Sequence, residues 1–242
     1  SVAGVSKDES EEIAYRSLLA LSRIAERRGA YLVLTCGGPR TAVDCLRYYL
    51  HNPDMMYAAM RVLRALLTDQ STMSRLKKQV RFRILPSAIL DAVARHPDDL
   101  EMKAEAMHAL WSYTGIGGKP AQETVMDCGP VLDHIKSGLA QARADTGSNQ
   151  YLPTIRKFLG CALSLAKGNK DIQDKLVEVG LRSAIRKTLS ENPGISFHGE
   201  FGMLRDWIRG DRGGAKSVTR SNKSTTRSER NAAERALDAG TQ

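Results

Sequence analysis

The chain has 242 residues, 42% of them hydrophobic and 5% aromatic, with 36 Lys and Arg against 27 Asp and Glu for a formal charge of +9. This length allows one or two domains and the apolar share supplies a core; 20 Gly and 8 Pro are too few for a collagen-like or broadly low-complexity chain. Apolar runs such as Tyr31–Leu34 fall far short of the ~20 residues of a membrane span, and no secretory signal pattern is visible, although a start at Ser1 leaves an earlier leader open.

In chain order, Ser1–Ser10 reads as a short flexible arm, and helical periodicity begins at Glu11. A small or apolar residue, a large apolar one, two variable positions and two small or apolar residues then recur. The copies are Ala20–Ala25, Val62–Leu67, Ala109–Thr114, Cys161–Ala166 and Met203–Ile208. Measured at Leu21, Leu63, Leu110, Ala162 and Leu204, the spacings are 42, 47, 52 and 42 residues. A period near 40–47 belongs to repeats of two or three helices.

Two further marks keep step with the first. Val33–Gly37, Val125–Gly129 and Leu176–Gly180 each set two apolar residues shortly before a glycine, which suits the left-handed turn closing a short helix. A helix follows each, apolar at Val43, Leu46 and Leu50, at Leu132, Ile135 and Leu139, and at Leu181, Ile185 and Leu189. Asn52-Pro53, His96-Pro97 and Asn192-Pro193 then open long helices, since proline at the first helical position wastes no amide hydrogen. Met56, Ala59, Met60, Leu63 and Leu67 mark one apolar stripe, and Met102, Ala106, Ala109, Leu110 and Tyr113 another. The 52-residue spacing owes its excess to Ala140–Gln150, read as an enlarged polar loop before a helix over Tyr151–Ala166.

Glycine turn, helix, proline turn, long helix: between about Glu11 and Arg209 this unit resembles the armadillo-repeat family, most clearly over Leu165–Leu181. HEAT-like repeats share the period. The resemblance implies an all-α, right-handed solenoid of four to five repeats, whose long third helices line a concave groove and whose work is non-covalent binding of a protein partner. Armadillo members that hold extended nuclear-import peptides use Trp and Asn four residues apart on the third helix. The matching positions here are Leu19 and Arg23, Arg61 and Ala65, His108 and Ser112, Gly160 and Ser164, Gly202 and Asp206, so that specificity does not carry over. The groove expected instead is mixed and partly basic: Arg23, Arg61, His108, Trp111, Ser112, Arg156 and Ser164, suited to an acidic extended or helical segment.

A competing class rests on Arg75, Lys77, Lys78, Arg81 and Arg83, five cations in nine residues, together with the Ser- and Thr-rich basic segment 210–242, read as a disordered tail. These would bind phosphates of RNA or acidic lipid headgroups. A structural subunit of a large assembly is the third reading.

Nothing points to catalysis, metal or cofactor. The five histidines lack metal-ligand spacing, and Gly115–Pro120 departs from a phosphate loop because Pro120 stands where a hydroxyl is needed. Cys36, Cys45, Cys128 and Cys161 form no C-x-x-C and read as free thiols in a reducing compartment, the cytoplasm, with nucleus and cytoskeleton left open.

Overall fold

The computed structural model describes residues 7–69, 72, 75–76, 83–145, 151–192, 195 and 208. All the described helices lie in one compact unit, 1–196; of the second unit, 197–242, only Ile208 is described. The described residues are helical, with no strand among them. In order these are α1 (Lys7–Ile24), a π-helical turn (Ala25–Gly29), α2 (Ala30–Thr35), α3 (Gly38–Tyr48), α4 (Pro53–Thr68), α5 (Leu85–Arg95), α6 (Leu100–Asp127), α7 (Val131–Ala144), α8 (Tyr151–Ala166), α9 (Lys170–Glu178) and α10 (Leu181–Glu191).

Local chemistry sets the boundaries. Asn52 accepts a hydrogen bond from the Met55 amide at 3.1 Å, and Pro53 occupies the first helical position of α4. Asp99 caps α6 through the Met102 amide at 2.9 Å, and Asn169 caps α9 through the Ile172 amide at 3.3 Å. Gly37 (φ 84°) and Gly180 (φ 72°) enter α3 and α10 in the left-handed region, where a Cβ would strain the backbone. Gly118 (φ 61°, ψ −149°) breaks α6 so that Pro120 starts a second helical run.

Packing joins the long helices in succession. α1 contacts α4, α4 contacts α6, and α6 contacts α8; beside them α3 contacts α5, and α7 contacts α10. Within each layer α3 lies on α4, α5 on α6, and α7 on α8. The inner long helices are apolar on several sides because they have neighbours on several sides. Leu63 and Leu110 are buried, as are Met55, Met56, Met60, Leu66 and Leu67 of α4 and Phe158 through Ala166 of α8. Each fully buried Leu or Met contributes about 1.5–3 kcal/mol.

Polar fasteners tie the layers. His96 Nε2 meets the Leu50 carbonyl at 2.9 Å. Arg143 donates twice to Glu191 at 2.8 Å, joining α7 to α10. Gln122 donates to the carbonyls of Ser164 and Lys167 at 2.8 and 2.9 Å, closing the C-terminal end of α8.

Several expectations shift. α1 starts at Lys7, inside the segment read as a flexible arm. Its buried face is Leu18 and Ser22, continued by Ala25 of the π turn, with Leu21 half-buried, because α1 has a single long-helix neighbour and buries one narrow stripe. Pro97 lies in a turn, and α6 starts three residues later behind Asp99. α7 runs on to Ala144 and consumes part of the expected loop, while α8 spans Tyr151–Ala166 as the periodicity predicts. Leu50 and Leu189 are half-buried at the helix ends. Leu204, Pro193 and the segment 210–242 lie outside the described residues.

Cys45 and Cys161 are buried, Cys128 is half-buried and Cys36 is exposed; none of the four is in a disulfide. Burial raises the Cys45, Cys128 and Cys161 thiols above their usual range. No helix among the described residues is long and apolar enough to cross a membrane.

Candidate functional site

One face of the long helices carries a ladder of charge. On α4, Arg61 and Arg64 stand one turn apart, with half-buried Tyr57 a turn before them. On α6, Glu105, His108 and Ser112 follow at helical spacing, and α8 adds Lys157. The π-helical turn contributes Glu26.

The rungs touch. Arg61 donates through one terminal nitrogen to both carboxylate oxygens of Glu26, at 3.0 and 2.9 Å. Arg64 reaches the same carboxylate and, with its Nε, lies 3.2 Å from Glu105 Oε2, an ion pair out of hydrogen-bond alignment. Lys157 Nζ donates to the other oxygen, Glu105 Oε1, at 2.5 Å. Three cations therefore share two carboxylates across three successive contacts, from the π turn to α4, α6 and α8.

Glu105 is only 6% exposed. Burial pushes its carboxyl pKa up, but the Lys157 hydrogen bond and charge, with the Arg64 charge, outweigh it and hold it below the usual carboxylate range. His108 is pushed down to about 4, first by burial and then by Arg64, with Glu105 opposing. The imidazole is therefore neutral near pH 7. Its ring lies 5.5 Å from Trp111, tilted by 33°, and its buried Nδ1 has no hydrogen-bond partner among the described residues. Burial raises the Tyr57 hydroxyl pKa, and Glu105 and Glu101 add to the rise.

Trp111 depends on a glycine across the interface. A Cβ on Gly160 would stand 2.3 Å from Trp111 Cε3, so only glycine lets α8 seat against the indole. Beneath them Thr114 and Ser164 share a hydroxyl hydrogen bond at 2.7 Å.

The expected groove residues divide on this geometry. Arg61, His108, Trp111 and Ser112 are half-buried, and Ser112 donates to the His108 carbonyl at 3.1 Å. Arg23 and Arg156 are exposed. Ser164 is 4% exposed and held between α6 and α8, so it is a packing hydroxyl and not part of an open wall. The charge expected of Arg61 is already matched by Glu26. Sequence reasoning missed Glu26, Tyr57, Arg64 and Glu105, each about one helical turn from an expected groove residue, and Lys157, next to Arg156. The signal available was opposite charge recurring at near-repeat spacing, as from Arg64 to Glu105 and on to Lys157.

Of the basic run, Arg75 and Arg83 are exposed, and the Arg75 guanidinium lies 4.7 Å over the Tyr31 ring. Lys77, Lys78 and Arg81 lie outside the described residues. Among the described residues no group of three His, Cys, Asp or Glu is placed to hold a metal ion.

The chain matches no family model, no curated protein and no solved structure.

Proposed function

We propose that the chain is an armadillo-like α-solenoid that works without catalysis, as a scaffold or adaptor holding a protein segment along the face of its third helices. The observation that carries this is the ladder itself: four long helices in successive contact, with charged, aromatic and hydroxyl side chains aligned on one face above a buried apolar layer. A surface of this kind offers one recognition group per layer to an extended or helical segment. Tyr57, His108 and Trp111 supply flat half-buried surface, while Arg61 and Arg156 supply charge. Such half-buried aromatic and Arg positions are where binding energy concentrates.

The test is charge reversal. Arg61→Glu with Arg156→Glu, in a chain shown to fold by circular dichroism, is expected to lose the partners that the native chain recovers in a pull-down. Unchanged recovery removes this face as the binding surface.

A further inference from the structure

We propose that Arg61 and Arg64 form a carboxylate-recognition subsite for an acidic linear peptide, and that Glu26 fills this subsite in the unbound chain as an internal stand-in for the partner's carboxylate. The inference rests on the groove reading above.

The two carboxylates of the ladder differ in how they are held. The Glu105 side chain is 8% exposed and gripped from two flanking helices, so nothing displaces it without stranding Lys157 and breaking its pair with Arg64. The Glu26 side chain is 28% exposed, and both its cations come from α4. Its bonds already show how a carboxylate seats against Arg61 and Arg64. An ion pair this accessible contributes little net stability, so exchange for another carboxylate is nearly neutral. The Arg61 side chain is itself 28% exposed, within reach of a partner.

Glu26 sits on a five-residue π turn, a geometry that recurs at functional sites because it displaces one turn of a helix. The turn is built in. A Cβ on Gly29 would lie 2.5 Å from Ile24 Cγ2 and 2.7 Å from the Ile24 carbonyl oxygen. Arg23 and Arg27, on either side of Glu26 in sequence, are exposed and add positive potential at its approach. Glu105 lies close enough to act on the charge of Arg61, and Glu101 and Glu105 both act on Tyr57 a turn away. Fixed acids there disfavour a continuous polyanion and favour spaced carboxylates, as on an acidic peptide.

The experiment is fluorescence anisotropy of a fluorescein-labelled Glu-Ser repeat peptide at low salt. Glu26→Gln is expected to bind about fivefold tighter than the native chain, because the subsite no longer spends time closed. Glu26→Asp, one methylene shorter, is expected to fall between them. Adding Arg61→Gln to Glu26→Gln should abolish the gain. Equal or weaker binding by Glu26→Gln, or indifference to Arg61→Gln, overturns the proposal. A poly-uridine RNA with the same response to both substitutions overturns the assignment to an acidic peptide. A benzophenone on the peptide separates the two claims. Crosslinks on α4 and α6 without any Glu26 effect leave the groove standing and remove the stand-in; crosslinks confined to other helices remove both.

Discussion

Glu105 and Glu26 are the same side chain on the same ladder, yet they do different work. Glu105 is walled in by α4 and α8, and its charge persists because Lys157 and Arg64 repay the cost of burial. Glu26 faces water from an irregular turn, paired with cations that are themselves part-exposed. The middle of the ladder thus locks layers together, while its first rung is open to exchange. Position among the layers decides this: α6 is flanked by long helices on two sides, and the π turn lies at the α1 edge of the row.

The sharpest way to break that contrast is to remove each carboxylate in turn. Glu105→Ala leaves Lys157 half-buried without its carboxylate and Arg64 with Glu26 alone, and is expected to cost about 3–5 kcal/mol in denaturant melts. A loss under ~1 kcal/mol would make Glu105 no more structural than Glu26. Leu110→Ala, at a buried position of the same helix, is expected to cost about 2–5 kcal/mol with no change in charge, and serves as the apolar reference.

Acid probes the same difference. The His108 imidazole has a folded pKa of about 4, below the 6.5 of the unfolded chain, so below pH 6.5 the unfolded state takes up the proton first. Stability contributed by the neutral ring is whole above pH 6.5 and is lost as pH falls towards 4, by about 3 kcal/mol at most. Glu105, held below its usual range, adds to the loss in the same direction as pH falls through the carboxylate range. Denaturant melts at pH 7 and pH 4.5 check this, with His108→Gln expected to flatten the fall. An unaltered slope in that variant would place the pH sensitivity elsewhere.

Smaller effects sharpen the picture. Gly160→Ala forces α8 away from Trp111 and is expected to cost about 1–3 kcal/mol, read together with a change in Trp fluorescence. Glu26→Gln is expected to cost under ~1 kcal/mol, the usual worth of an accessible ion pair. A cost like that of Glu105→Ala would erase the distinction between the two rungs.

Much of the fold was legible because period and punctuation agree. The stripes Met56–Leu67 and Met102–Tyr113 are buried as their spacing predicts, and α8 has the predicted limits. Asn52-Pro53 marked a helix start where both cap and proline were in place. Pro97 misled because Asp99 caps better and postpones the helix. On α1 the repeat position Leu21 is half-buried and Arg23 is exposed, because that helix buries a single narrow stripe. The site was half legible. His108, Trp111 and Ser112 follow from helical phase, but the pairing of Glu26, Arg64, Glu105 and Lys157 requires knowing which turns of successive helices lie level. Interruptions such as the π turn and the long 110–162 spacing hide that from a fixed period.

The most direct test of the binding face is a photo-crosslinking residue placed at Ser112 on the ladder and, separately, at exposed Ser183 on α10. Ser112 is expected to trap a partner through an acidic segment, with loss of the adduct in Arg61→Glu and Arg156→Glu, and Ser183 to trap none. Partner adducts at Ser183 alone, untouched by the charge reversals, would contradict the role assigned to the ladder.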